Sequence, residues 1–104
     1  MGGPEMRAAL VTQVRHDLDR CRTTLLTATA EPGKARDHVS ICKAAHGIKG
    51  LAVTVGALAL ADLAREVEKA CQTRDTAKID KLLARLATET GETSTALAQL
   101  ASAD

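Results

Sequence analysis

Residues 41–68 read ICKAAHGIKGLAVTVGALALADLAREVE, and two helices separated by one break are legible in that run. On a wheel of ~100° per residue, Ile41, Ala45, Ile48, Ala52 and Val55 gather on one side, so a helix over about Lys34 to Val55 has its core face there. Gly56 ends that helix as a C′ residue or opens the next one. From about Ala57 to Arg74, Leu60, Leu63, Ala64, Val67 and Cys71 recur at steps of three and four, the inner stripe of a further helix.

The same pattern extends outward in both directions. From about Pro4 to Ala28, Val11, Val14, Leu18, Cys21 and Leu25 predict a first helix. Glu31, Pro32 and Gly33 break it, because Pro lacks an N–H and biases its predecessor away from helix. Beyond Arg74, either Asp75 or Thr76 can cap a fourth helix whose stripe is Ile79, Leu82, Leu83, Leu86, Leu97 and Leu100. Gly91 and the threonines between Thr88 and Thr95 are weak helix formers, so a kink or fraying is expected there. Short connections make neighbouring helices antiparallel, which gives an all-α, up-down-up-down four-helix bundle filling residues 1–104 as a single domain.

Composition narrows the function. The chain has 104 residues, a net charge of +1 and no aromatic residue. Strand formers and base-stacking groups are therefore scarce, and no concentrated basic stripe exists to grip a phosphate backbone, so nucleic acid is not an expected partner. No apolar run approaches the ~20 residues that span a bilayer, and no signal-peptide pattern opens the chain. Gly2 lacks the Ser or Thr that a myristoylation motif wants, because Met6 holds that position. Cys21, Cys42 and Cys71 form no CxxC pair, and each suits a small apolar position, which argues against a disulfide framework. The expected setting is the cytoplasm, with the chain soluble and monomeric.

The chemistry concentrates on Ala45-His46-Gly47-Ile48-Lys49-Gly50. His46 lies on the outer side of its helix, away from the core stripe. Lys43 and Lys49 stand three residues before and after it, within reach of an anion held by the imidazole. A neutral imidazole is a competent nucleophile toward phosphorus, and a neighbouring cation offsets the product's charge. Gly47 and Gly50 each cost about 1 kcal/mol in a helix interior, which suggests that their missing side chains open an approach to His46. Val39, Cys42 and Val53 share the His46 face and supply a weakly apolar docking surface.

These residues resemble the histidine-containing phosphotransfer domains of phosphorelays. The resemblance rests on Ala45, His46, Ile48, Lys49 and Gly50, continued by Gly56, Ala57, Leu60, Ala64, Val67 and Glu68 in the family's order and spacing. It implies that His46 is the phosphorylated histidine, Lys49 steadies the phosphoryl group and Gly50 lets a receiver domain approach. It further implies a carrier with no catalysis or cofactor of its own, the receiver domain contributing the Asp and a bound Mg²⁺. Sensor or hybrid histidine kinases are the other implied partners. The Phe and Tyr common in the chemotaxis-kinase branch are missing, which favours a relay-type carrier.

Two blander readings stand beside this one. His38, Cys42 and His46 recur at four-residue steps and could offer imidazole and thiolate ligands to a transition metal, although three ligands on one helix fit a tetrahedral ion poorly. The bundle could equally scaffold other proteins with no chemistry at His46. His16 and His38 read as ordinary surface or core histidines.

Overall fold

In a computed structural model, which describes residues 4–29 and 37–102, every regular element is an α-helix. The helices are α1 (Pro4–Thr29), α2 (His38–Thr54), α3 (Leu58–Gln72) and α4 (Thr76–Ser102). Each packs on its chain neighbours and α1 closes onto α4, while the diagonal pair α2 and α4 barely touch. This is the expected antiparallel four-helix bundle.

Local chemistry sets the boundaries. Asp37 caps α2, its Oδ1 accepting from the Ser40 backbone N–H at 3.1 Å, so α2 starts at His38 rather than near Lys34. The expected connection at Glu31, Pro32 and Gly33 lies outside the described residues. At the far end of α2, Gly56 adopts φ 74°. Its N–H donates to Val53 O at 3.1 Å and that of Ala57 to Ala52 O at 2.8 Å, the paired bonds of a Schellman motif. Helix α3 ends the same way: Arg74 donates to Cys71 O and Asp75 to Ala70 O. There the left-handed position, φ 56°, falls to Arg74. Asp75 then caps α4 by accepting from the Lys78 N–H at 3.1 Å.

The predicted stripes form the core. Leu18, Leu25, Ile41, Ala45, Ile48, Ala52, Ala64, Val67 and Leu86 are wholly buried. Val11, Cys21, Val55, Cys71 and Leu82 pack against this core half-buried, whereas Leu100 is exposed, contrary to the stripe.

Two expectations are corrected. Helix α4 runs unbroken through Thr88–Thr95, because that stretch is the polar lining of the α1–α4 interface. Thr90 and Ser94 are buried; the Thr90 hydroxyl donates to Leu86 O at 2.7 Å and the Ser94 hydroxyl to Asp19 Oδ1 at 2.8 Å. A Cβ at Gly91 would come within 2.7 Å of Arg22 Nε, so any larger residue there displaces the Arg22 side chain. Second, Cys42 and Cys71 are joined by a disulfide, their Cα atoms 6.1 Å apart. Sequence spacing hid this pair because 29 residues separate the two cysteines along the chain, and only the packing of α2 on α3 brings them together. Cys21 is free.

No helix is long and apolar enough to cross a membrane, among the described residues.

Candidate functional site

The side of α2 opposite its buried stripe carries His46, whose side chain is 73 % exposed. Burial of Ala45 and Ile48 on the inner face fixes that outward direction, since the helix turns ~100° per residue. Its ring is nevertheless held. Nδ1 lies 2.9 Å from Oε2 of Glu68 on α3; an ionised carboxylate only accepts, so Nδ1 carries a proton, and in the neutral ring the lone pair is left on Nε2. Lys49, three residues on, places Nζ 2.8 Å from Oε1 of the same Glu68. That oxygen is shielded from solvent and has no well-aligned hydrogen bond, so the Lys49 contact is one of charge.

Glu68 is the residue that the sequence reading left out of the site, although it closes the motif on which the resemblance rests. Its side chain is 18 % exposed. Burial pushes its carboxyl up, but the contacts with Lys49 and His46 outweigh that, and the net direction is below the ordinary value. Glu68 is therefore an anion at neutral pH, wedged between an imidazole and a cation. The signal in the sequence was the helical register: Val67 is buried, and the next residue turns toward the edge shared with α2.

The other expected site residues divide. Val39 and Val53 are exposed on the His46 face, one before and one after the histidine. Gly50 is exposed, and a Cβ there would meet nothing within 4 Å, so the surface beside His46 is open. Gly47 turns the other way: a Cβ there would stand 3.3 Å from Cys21 Sγ, and its missing side chain serves the packing of α2 on α1 rather than an opening above His46. Lys43 is exposed and borders a shallow groove with Arg20, Cys21, Thr24, Ser40 and Ala44. It thus flanks His46 on the α1 side while Lys49 flanks it on the α3 side.

Cys42 presents no free thiol on this face; it is half-buried and bonded to Cys71. His38 is held 3.0 Å from Asp80 on α4. The possible metal set of His38, Cys42 and His46 is thus distributed among three different partners, and the described residues contain no group of three metal-ligating side chains. His16 is exposed.

The arrangement presents an exposed imidazole held through Nδ1, a half-buried carboxylate beneath it, a cation beside it and open ground around it. No curated protein and no solved structure matches this chain. The family described as Hpt domain matches residues 5–103, nearly the whole length, so the chain belongs to the Hpt family, whose members carry phosphoryl groups on histidine in phosphorelays and work with receiver domains and kinases.

Proposed function

We propose that this chain is a stoichiometric phosphocarrier of a two-component relay, in which His46 shuttles a phosphoryl group to and from the Asp of response-regulator receiver domains. The observation that carries the reading is the exposed ring of His46, anchored through Nδ1 to Glu68. With Nδ1 protonated, the lone pair of Nε2 attacks phosphorus; the N–P bond forms, the bond to the Asp oxygen breaks, and the Asp leaves as a carboxylate. The ring becomes cationic, and the Glu68 anion offsets that charge. Lys49 transfers its ammonium from Glu68 to the phosphoryl oxygens, and Lys43 adds a second cation from the α1 side.

The receiver domain docks on Val39, Gly50 and Val53, with Gly47 contributing backbone and Cys42 only the rim of its half-buried side chain. That partner supplies Mg²⁺ and the catalytic geometry, and this chain holds no cofactor of its own. A sensor or hybrid histidine kinase stands at the other end of the relay. The carrier acts as a monomer in the cytoplasm, on neither membrane nor nucleic acid.

Incubation with a phosphorylated receiver domain and Mg²⁺ tests this. An acid-labile, base-stable label is expected on the wild type and none on His46→Gln, whose helical circular dichroism stays unchanged because the side chain is outside the core. Label on Ser or Thr, or label surviving in His46→Gln, overturns it.

A further inference from the structure

We propose that the Cys42–Cys71 pair is a reversible redox modification site, reduced by a dithiol of the thioredoxin class, whose oxidised state holds Glu68 against His46. The consequence for phosphotransfer rests on the carrier reading; the consequence for His46 itself does not.

The placement carries the inference. Cys42 is one helical turn before His46 on α2, and Cys71 is three residues after Glu68 on α3. In antiparallel neighbours these are consecutive rungs: a covalent one, with Cα atoms 6.1 Å apart, and a polar one, with Nδ1 and Oε2 2.9 Å apart. Residues spaced three or four apart lie on the same helix face, so the first rung limits how far α2 and α3 can separate or slide at the second. His46 is on the outer surface, where little packing holds it, and the staple supplies a constraint that packing does not.

Both stapled cysteines are half-buried rather than enclosed, so a thiolate can reach a sulfur. In a reducing compartment, disulfides are typically transient and catalytic or sensing rather than structural. Reduction runs through a mixed disulfide: the first thiolate of a dithiol attacks one cysteine sulfur and the other leaves as a thiolate, then the second thiol attacks the mixed disulfide and displaces the first cysteine, so that two electrons and two protons pass to Cys42 and Cys71 while the reductant closes its own disulfide. Oxidised glutathione reverses the exchange, leaving as two molecules of thiol. Cys21 takes no part. It lies on α1, packed against Gly47 of α2, and burial pushes its thiol up, which keeps it protonated and slow to exchange.

The test uses the full chain in two states, reduced with dithiothreitol and reoxidised with oxidised glutathione. Oxidation is expected to remove two hydrogens by mass, leave one alkylatable cysteine and raise Tm by about 10 °C or more. On reduction the His46 ring nitrogens, followed by NMR, are expected to lose the signature of an Nδ1–H bonded to Glu68, because the staple no longer holds the two helices in register at that rung. Phosphoryl acceptance from a receiver domain is expected to slow roughly 3- to 10-fold on reduction, the scale of coupling between neighbouring residues. Cys42→Ser with Cys71→Ser should match the reduced protein in either buffer, and reoxidation should restore only the wild type.

Three alkylatable cysteines after glutathione treatment overturn the site. A disulfide that forms and raises Tm while the His46 ring-nitrogen signals stay the same overturns the coupling. If neither state accepts phosphate, the carrier reading fails, and the His46 ring-nitrogen signals still decide this inference.

Discussion

The two long faces of the bundle handle polar groups in opposite ways. Between α1 and α4, polarity is turned inward and satisfied. Arg15 and Arg22 donate through Nε to the carbonyls of Ser94 and Ala87, at 3.1 and 3.2 Å, and Ser94 is bonded to Asp19. Between α2 and α3 the polar groups sit at the rim, and their bonding capacity is left incomplete: one nitrogen of His46 faces outward, and Glu68 Oε1 is held only by charge. A satisfied buried network specifies one packing. An incompletely satisfied one at the surface is available for chemistry, so the two faces differ in their polar character although both join neighbouring antiparallel helices.

The sharpest way to break this contrast is on the α1–α4 side. Arg22→Ala removes the donor to Ala87 O and the packing of its stem, and is expected to lower stability by about 1–2 kcal/mol in urea unfolding, with phosphoryl acceptance at His46 unchanged. Loss of acceptance in a still-folded Arg22→Ala protein would join the two faces functionally.

One substitution, Gly to Ala, should then have opposite signs on the two faces. Gly91→Ala pushes a Cβ against Arg22 Nε and disturbs its bond to Ala87; a small net loss of about 0.5 kcal/mol is expected, the hydrogen bond slightly outweighing the gain in helix propensity. Gly50→Ala meets nothing, so it should stabilise by about 0.5–1 kcal/mol. A thermal melt of each decides the point, and equal signs would remove the distinction between a glycine kept for packing and one kept for access.

The smallest effect concerns pH. Glu68 has its folded-state value below the ordinary 4.5, so its contribution is fully present above about 4.5 and is lost as pH falls through the lower folded value. Glu68→Gln should therefore lose less stability on acidification over that window than the wild type. Denaturant midpoints at neutral pH and below pH 4 measure the difference. The same variant should free the His46 ring and slow its phosphorylation, a consequence with no counterpart on the α1–α4 face.

Much of this was open to reading in the chain itself. Apolar residues at steps of three and four dictated four helices and the inner faces of all of them, because a helix must bury its stripe. The outward direction of His46 followed from the same periodicity, as did the exposure of Val39 and Val53. What periodicity handles badly is polar residues in an interior position: Thr90, Gly91 and Ser94 look like a weak helix until Arg15, Asp19 and Arg22 arrive from α1 to satisfy them. Leu100 errs the other way, an apolar residue in register with the stripe but exposed.

The sequence alone determined the fold class and the outward direction of His46, since both depend on spacing within single helices. Packing across helices decided three things that no single helix contains: that Glu68 reaches His46 and Lys49, that Gly47 accommodates Cys21 while Gly50 stays open, and that Cys42 meets Cys71. Each is a contact between segments distant in the chain, and side-chain spacing along one helix carries no information about the register of its neighbour.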